Sequence, residues 1–184
     1  MSEQSVRPSA LLVFDPDLIL VRSFRPADRP QVAQLHEDKA GLVSVCCDCA
    51  AEIDQIEEKY FHKPHNHFWV AEFQDKIIGT VAIAIEEEEV AHLHCLQVLS
   101  EWHEGRRVHQ RLVRVATEHA REHGILKLVL HADVEKGKAA AFFHRLGFEF
   151  SRHRELQGRP ALEFYLNLYR QPELEAEEGS ESVR

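Results

Sequence analysis

The sequence predicts a mixed α/β fold: a mostly antiparallel sheet with one parallel strand pair, flanked by helices. Three observations lead there. Strand-like and helix-like segments alternate along the chain, with apolar residues recurring at period two in some and near 3.6 in others. The early strands are joined by short polar turns, as antiparallel hairpins require. The later part reads strand–helix–strand–helix, which supplies one parallel crossover and is too short for a doubly wound dinucleotide fold.

The elements follow in order. Leu18–Phe24 is β-rich and stops at Pro26, with a short strand at Leu11–Phe14 before it. Asp28 is placed to cap a helix carrying Val32, Leu35 and Ala40, with Pro30 in its first turn. Asp48 caps a second helix, with Ile53, Ile56 and Tyr60 on one face and Pro64 beyond its end. Phe68–Phe73, the turn Gln74-Asp-Lys and Ile77–Ile85 form a hairpin, and a second turn at Glu86–Glu89 leads into Ala91–Val98. Val108, Leu112, Val115, Ala116 and Ala120 then mark the strongest helix, with Gly124 at its left-handed C-cap. Ile125–Leu130 is an apolar strand, and Lys138–Leu146 a helix closed by Gly147. Phe148–Phe150 and Ala161–Leu168 make a last hairpin around Gly158.

At 184 residues with 44% hydrophobic composition, the chain suits one domain over residues 10–170. Residues 1–9 are polar, and Gln171–Arg184 is rich in Glu, Pro, Ser and Gly, so neither end can offset its ordering entropy by burial. The net charge is −9. An acidic balance opposes nucleic-acid binding, which requires a basic surface to neutralise phosphates. No apolar run approaches the ~18–20 residues of a membrane span, so no membrane partner is expected. The N-terminus lacks the basic and apolar regions of a secretory signal. Cysteines at 46, 47, 49 and 95 are clumped in a way that suits a reducing compartment over a disulfide framework, and a cytoplasmic location is expected.

The order of elements, with Leu96-Gln-Val98, Gly105-Arg-Arg-Val-His109, Leu112, Gly124 and Phe142-Phe-His-Arg-Leu-Gly-Phe148, resembles the GNAT superfamily of acyl-CoA-dependent N-acyltransferases. The resemblance covers roughly residues 18–168. It implies acetyl-CoA as cosubstrate, a small-molecule or peptide amine as acceptor, and a fold in which homodimers are common. The family's [Q/R]-x-x-G-x-[G/A] segment, aligned on Leu112, is Glu104-Gly-Arg-Arg-Val-His109 here. Glu104, Arg107 and His109 replace the three signature residues. The implied pyrophosphate site thus comprises Glu104, Gly105, Arg106, Arg107, Val108 and His109, where amides at a helix N-terminus face the phosphates. Arg107 and His109 must turn outward or bind phosphate themselves; Arg is a good bidentate phosphate ligand. Arg106, Arg107, Arg111 and Arg114 form a basic patch in an acidic chain, read either as a phosphate site or as a solvated helix face.

The resemblance also implies direct attack of an amine on the thioester. An amine of pKa near ~10 is mostly protonated at pH 7, so a base or a water relay helps to release it. The family's carboxylate position in the fourth strand is His92 here, with His94 on the same face unless a bulge intervenes. A strand histidine satisfied by a backbone carbonyl is the structural alternative. Backbone amides at a bulge, here Leu96, Gln97 and Val98, are implied to hold the thioester carbonyl and pair with the pantetheine arm. The family's thiolate-protonating Tyr is Phe143 here, which has no proton to donate, and its cofactor-contacting Asn is Lys136. Phe142, Phe143 and Phe148 also fit a packed core.

Cys46 and Cys49 have CxxC spacing, and His62, His65 and His67 cluster, but the second half of a zinc site is missing and no metal is expected. Glu86–Glu89 reads as a solvated hairpin tip or as an acidic rim for a cationic amine. Two functions therefore compete beside a metal-dependent hydrolase that lacks any HExxH spacing. One is an N-acetyltransferase; the other is a non-catalytic binding protein that keeps the fold and has lost normal CoA recognition.

Overall fold

The computed structural model describes residues 18–37, 53–102, 107–133 and 139–169. Its strands are β1 (Leu20–Ser23), β2 (His67–Phe73), β3 (Lys76–Glu87), β4 (Val90–Val98), β5 (Lys127–Asp133), β6 (Glu149–Leu156) and β7 (Arg159–Asn167). Its helices are α1 (Arg29–Glu37), α2 (Ile56–Tyr60), α3 (Val108–Glu122) and α4 (Ala139–Arg145). One sheet runs in the order β1-β2-β3-β4-β5-β7-β6. Every neighbouring pair is antiparallel except β4 and β5, as the hairpins and the single crossover require.

Local chemistry sets the punctuation. Gln74 and Asp75 close the β2–β3 hairpin with φ of 49° and 63°, and Gln157 and Gly158 close β6–β7 with 49° and 75°. Two successive left-handed residues match the twist of the strands they join. Gly124 (φ 74°) and Gly147 (φ 92°) end α3 and α4 in the same way. Ile125 N–H bonds the Ala120 carbonyl and Gly124 N–H that of Arg121, while Phe148 and Gly147 repeat the pattern on Phe143 and His144.

Some boundaries differ from expectation. The first strand is confined to Leu20–Ser23, an edge strand on which Leu20 is 55% exposed. Asp28 is not an N-cap. It closes a 3-10 turn at Pro26–Asp28, where its carboxylate accepts the Arg25 N–H at 2.8 Å and both terminal nitrogens of Arg22. The Arg22 guanidinium holds that carboxyl below its ordinary range. Leu11–Phe14, Ala40 and Asp48 lie outside the described residues.

The sheet carries a core on each face. α3 and α4 cover one, packing Val108, Leu112, Ala116, Ala120 and Phe143 on Ile78, Val81, Leu93, Leu96, Val98 and Phe164. α1 and α2 cover the other with Val32, Ile56 and Tyr60 on Phe68, Val70, Ala82, Ala84 and Cys95. Gly79 lets α3 lie close. A Cβ there would stand 3.0 Å from the Gln97 carbonyl oxygen and 3.1 Å from both Leu112 and Val98 side-chain atoms. Gly79→Ala is expected to cost about 1–3 kcal/mol by overpacking, read from urea denaturation.

Candidate active site

The site is built where β4 breaks its own alternation. Thr80 pairs with Gln97 and Ala82 with His94, so Cys95 and Leu96 together oppose Val81. This is a β-bulge, and Cys95 takes a φ of 50° within it. The extra residue reverses which side chains face which core. Ala91 and Leu93 before the bulge, and Leu96 and Val98 after it, all point to the α3 side. Cys95 points to the α1 side, as do His92 and His94, whose partners Ala84 and Ala82 belong to that core. Without the bulge, either Leu93 or Leu96 would lose its place beside α3.

Polar side chains fix this turn of the strand. Thr80, fully buried, donates its hydroxyl to the Cys95 carbonyl at 2.7 Å. The Thr80 oxygen lies 3.2 Å from His36 Nε2, which therefore carries its proton and donates it. Burial pushes the His36 pKa down to about 4, so the ring is neutral. Gln97 Nε2 donates to the Leu35 carbonyl at 2.8 Å, tying α1 to the strand just past the bulge. The Tyr60 hydroxyl is 4.0 Å from Cys95 Sγ. The other three cysteines lie outside the described residues.

β4 and β5 pair only through Val90, Ala91 and His92, whose partners are Lys127, Leu128 and Val129. Beyond His92 the two strands part, leaving a wedge at their carboxyl ends with the bulge on one wall. His92 sits at the apex, with His94 two residues along β4 and His131 two residues beyond Val129 on β5. The His92 ring is 5.7 Å from that of His131, stacked, and 6.2 Å from that of His94.

The three imidazoles have different surroundings. His92 Nε2 is 3.6 Å from the exposed Glu86 carboxylate. His94 Nδ1 is buried with no hydrogen-bond partner, and burial, with Lys59 and the other two histidines nearby, pushes its pKa down to about 3. His131 is lowered by burial and opposed by its contact at 3.3 Å with Glu163 Oε2. Sequence reasoning missed His131 and Glu163. The available signal was a lone acidic residue between Leu162 and Phe164 in an apolar strand.

The cofactor-side residues are distributed differently. Arg107 is the residue before α3, exposed and left-handed (φ 53°, ψ 20°), and its carbonyl accepts the Arg111 N–H. Val108 and His109 begin the helix with their side chains buried, the His109 ring edge-on to Phe142 at 4.8 Å. The His109 side chain is thus turned into the α3–α4 packing while its backbone stays at the helix start. Phe143 has no exposed surface and packs on Phe148 and Phe164, a core placement in place of a cofactor-facing one. In the basic patch, Arg111 bonds the Ile19 carbonyl and Arg114 pairs with Glu118. Glu104, Gly105, Arg106 and Lys136 lie outside the described residues.

A left-handed Arg at the helix start costs about 1–2 kcal/mol that glycine avoids. Arg107→Gly is therefore expected to raise thermal stability by roughly 1 kcal/mol, checked by calorimetry. Separately, its effect on acetyl-CoA affinity reports whether the side chain obstructs or binds phosphate.

Cys46 and Cys49, the cysteine pair set beside His62, His65 and His67, lie outside the described residues. His67 stacks on Trp69 at 4.5 Å, and His65 on His123 at 4.4 Å. Among the described residues no three His, Cys, Asp or Glu side chains form a metal-ligand set.

Residues 31–148, most of the folded chain, match the model of the acetyltransferase (GNAT) family. The chain belongs to that family. It is 30% identical over 103 residues to human N-acetyltransferase 8B, covering 53% of this chain and 45% of the relative. It is 30% identical over 104 residues to N-acetylaspartate synthetase of Xenopus tropicalis, covering 56% and 38%. The match thus spans less than half the length of either relative. Among solved structures, an acetyltransferase from Streptococcus agalactiae superposes with a TM-score of 0.70 at 16% identity, over 82% of this chain and 98% of the other. A spermidine N-acetyltransferase variant from Vibrio cholerae gives 0.63 at 19% identity, over 83% and 95%. These two likenesses establish the GNAT fold. No helix among the described residues is long and apolar enough to cross a membrane.

Proposed function

We propose that this GNAT protein is an N-acetyltransferase that moves an acetyl group from acetyl-CoA to an amine. The observation carrying this reading is the wedge between β4 and β5, which places a bulged strand, three imidazoles and the start of α3 at one end of the sheet. In it, the thioester carbonyl lies against the backbone of Leu96, Gln97 and Val98, and the pantetheine arm runs along β4 as an added strand. The pyrophosphate meets the backbone amides that open α3 at Val108 and His109, with Arg107 beside them. The His109 side chain leaves those amides available, because it is turned into the core against Phe142.

The amine nitrogen attacks the carbonyl carbon, the carbon–sulfur bond breaks, and CoA leaves as thiolate. The proton lost by the amine goes to His92. Glu86 at 3.6 Å stabilises the imidazolium so formed. His94, held neutral by burial, is too weak a base for this task. Phe143 donates no proton, and a thiol of pKa ~8.5 leaves without an acid, taking its proton from solvent. The names of both relatives support the acetyltransferase reading over a non-catalytic one.

Acetyl-CoA at a hundred times its dissociation constant is expected to stabilise the protein by about 2.7 kcal/mol. A thermal-shift titration checks this. A flat response at millimolar acetyl-CoA would favour the non-catalytic alternative.

A further inference from the structure

Beyond the wedge, the same face of the sheet continues into a second polar group. Glu163 on β7 pairs directly with His131 on β5 and with Arg152 on β6. It is 5% exposed, yet it is a carboxylate. Its Oε1 accepts Arg152 Nε at 3.0 Å and Ser151 Oγ at 3.1 Å; its Oε2 accepts Arg154 Nε at 2.8 Å and lies 3.3 Å from His131 Nε2. All of its acceptor capacity is used.

The two arginines are not used in the same measure. Each gives Glu163 only its Nε–H, and their side chains are 58% and 46% exposed. Four of the five N–H groups of each guanidinium, those on the terminal nitrogens, make no hydrogen bond to the described residues. Burying a carboxylate is costly, and apolar residues of similar size commonly stabilise as well or better. What Glu163 does achieve is orientation. It pins two guanidinium forks by one edge and leaves the other edge outward, one carboxylate away from the imidazole that stacks on His92.

We propose that the acceptor is a carboxylate-bearing amine of the amino-acid type, its carboxylate held by Arg152 and Arg154 while its amino group lies against His92 and His94. This rests on the acetyltransferase reading. A planar fork matches a carboxylate bidentately, and two forks fixed by a shared anion are preorganised for it. Glu88 and Glu89 form the β3–β4 turn, at the opposite end of β4 from the bulge. The Arg pair selects the substrate and leaves the chemistry to the imidazoles.

The test uses the full chain with acetyl-CoA, following acetylated product by chromatography for a series of amino acids of increasing amine-to-carboxylate spacing. Each is compared with its decarboxylated amine and with a polyamine. Amino acids are expected to exceed their decarboxylated counterparts by about 10–100-fold in kcat/KM, the equivalent of one charged hydrogen-bonded contact. Arg152→Gln and Arg154→Gln should each raise KM for the amino acid by at least about 10-fold with kcat little changed, while the decarboxylated amines are unaffected. Arg→Lys at either position should restore part of the affinity, since charge returns without the fork. Circular dichroism confirms that the variants fold, and calorimetry reads amino-acid binding directly when turnover is slow. Turnover of polyamines or decarboxylated amines as good as that of amino acids would overturn the proposal and leave the acetyltransferase reading standing. So would unchanged selectivity in the Gln variants, or absent amino-acid binding in a protein that still binds acetyl-CoA. Loss of both acetyl-CoA binding and all turnover would overturn the two together.

Discussion

His92→Ala is expected to slow acetyl transfer by about 10²–10⁴-fold while leaving acetyl-CoA affinity nearly unchanged, because proton removal and cofactor binding are separate tasks. The position at the apex of the wedge accounts for both halves of this expectation. The ring faces the α1 side of the sheet, where Glu86 and His131 adjoin it, whereas the proposed cofactor contacts are made by backbone on β4 and at the start of α3. Single-turnover kinetics separate the two effects. A folded His92→Ala protein that binds acetyl-CoA and transfers at the wild-type rate would remove His92 from the mechanism. His94→Ala is the informative companion. Its ring lies 6.2 Å from that of His92 on the same face and walls the site without taking the proton, so its loss should raise KM for the acceptor more than it lowers kcat.

Acid should unfold the protein well above the pH at which its best-paired carboxylates titrate. His36 and His94 have pKa values lowered to about 4 and about 3 in the folded state, against 6.5 when the chain is unfolded. Between those values the unfolded chain binds more protons, so stability falls as pH falls below 6.5. Each imidazole contributes about 1.4 kcal/mol per pH unit in that window, or roughly 2 kcal/mol between pH 6.5 and 5. The two together are expected to cost about 3–4 kcal/mol at pH 5, a large share of a typical ~5–15 kcal/mol. Lowered values at His67, His119 and His131 act in the same direction. Glu163 adds little in this window, because its carboxyl is also largely ionised in the unfolded chain; its lowered pKa removes stability at more acidic pH, where the unfolded chain takes up the proton first. Urea denaturation at pH 7.5 and 5.0 measures the difference, and His94→Gln should flatten it. Equal stability at the two pH values would show that these rings are not buried neutral.

The proposed base was legible because it stands on a regular strand. Ala91-His-Leu-His alternates at period two, so His92 and His94 share a face as soon as Ala91–Val98 is read as a strand. The helix-ending glycines were equally legible, since a residue with φ of 74° or 92° favours glycine regardless of its surroundings. Arg107 was harder. Its left-handed backbone is a conformation that sequence composition at an Arg position does not announce. His131 lay one residue past the expected end of its strand, and its partner Glu163 is 32 positions away.

The sequence by itself determined the class of fold, the order of hairpins and crossover, the apolar faces of the helices and the family resemblance. These depend on period, turn chemistry and caps, which act over a few residues. Tertiary structure alone decided three things: that the bulge falls at Cys95 and Leu96, that β4 and β5 part after His92, and that Glu163 gathers His131, Arg152 and Arg154. Each depends on register between strands distant in sequence. Register is set by the requirement that both faces bury their apolar side chains at once, a condition that no single segment carries.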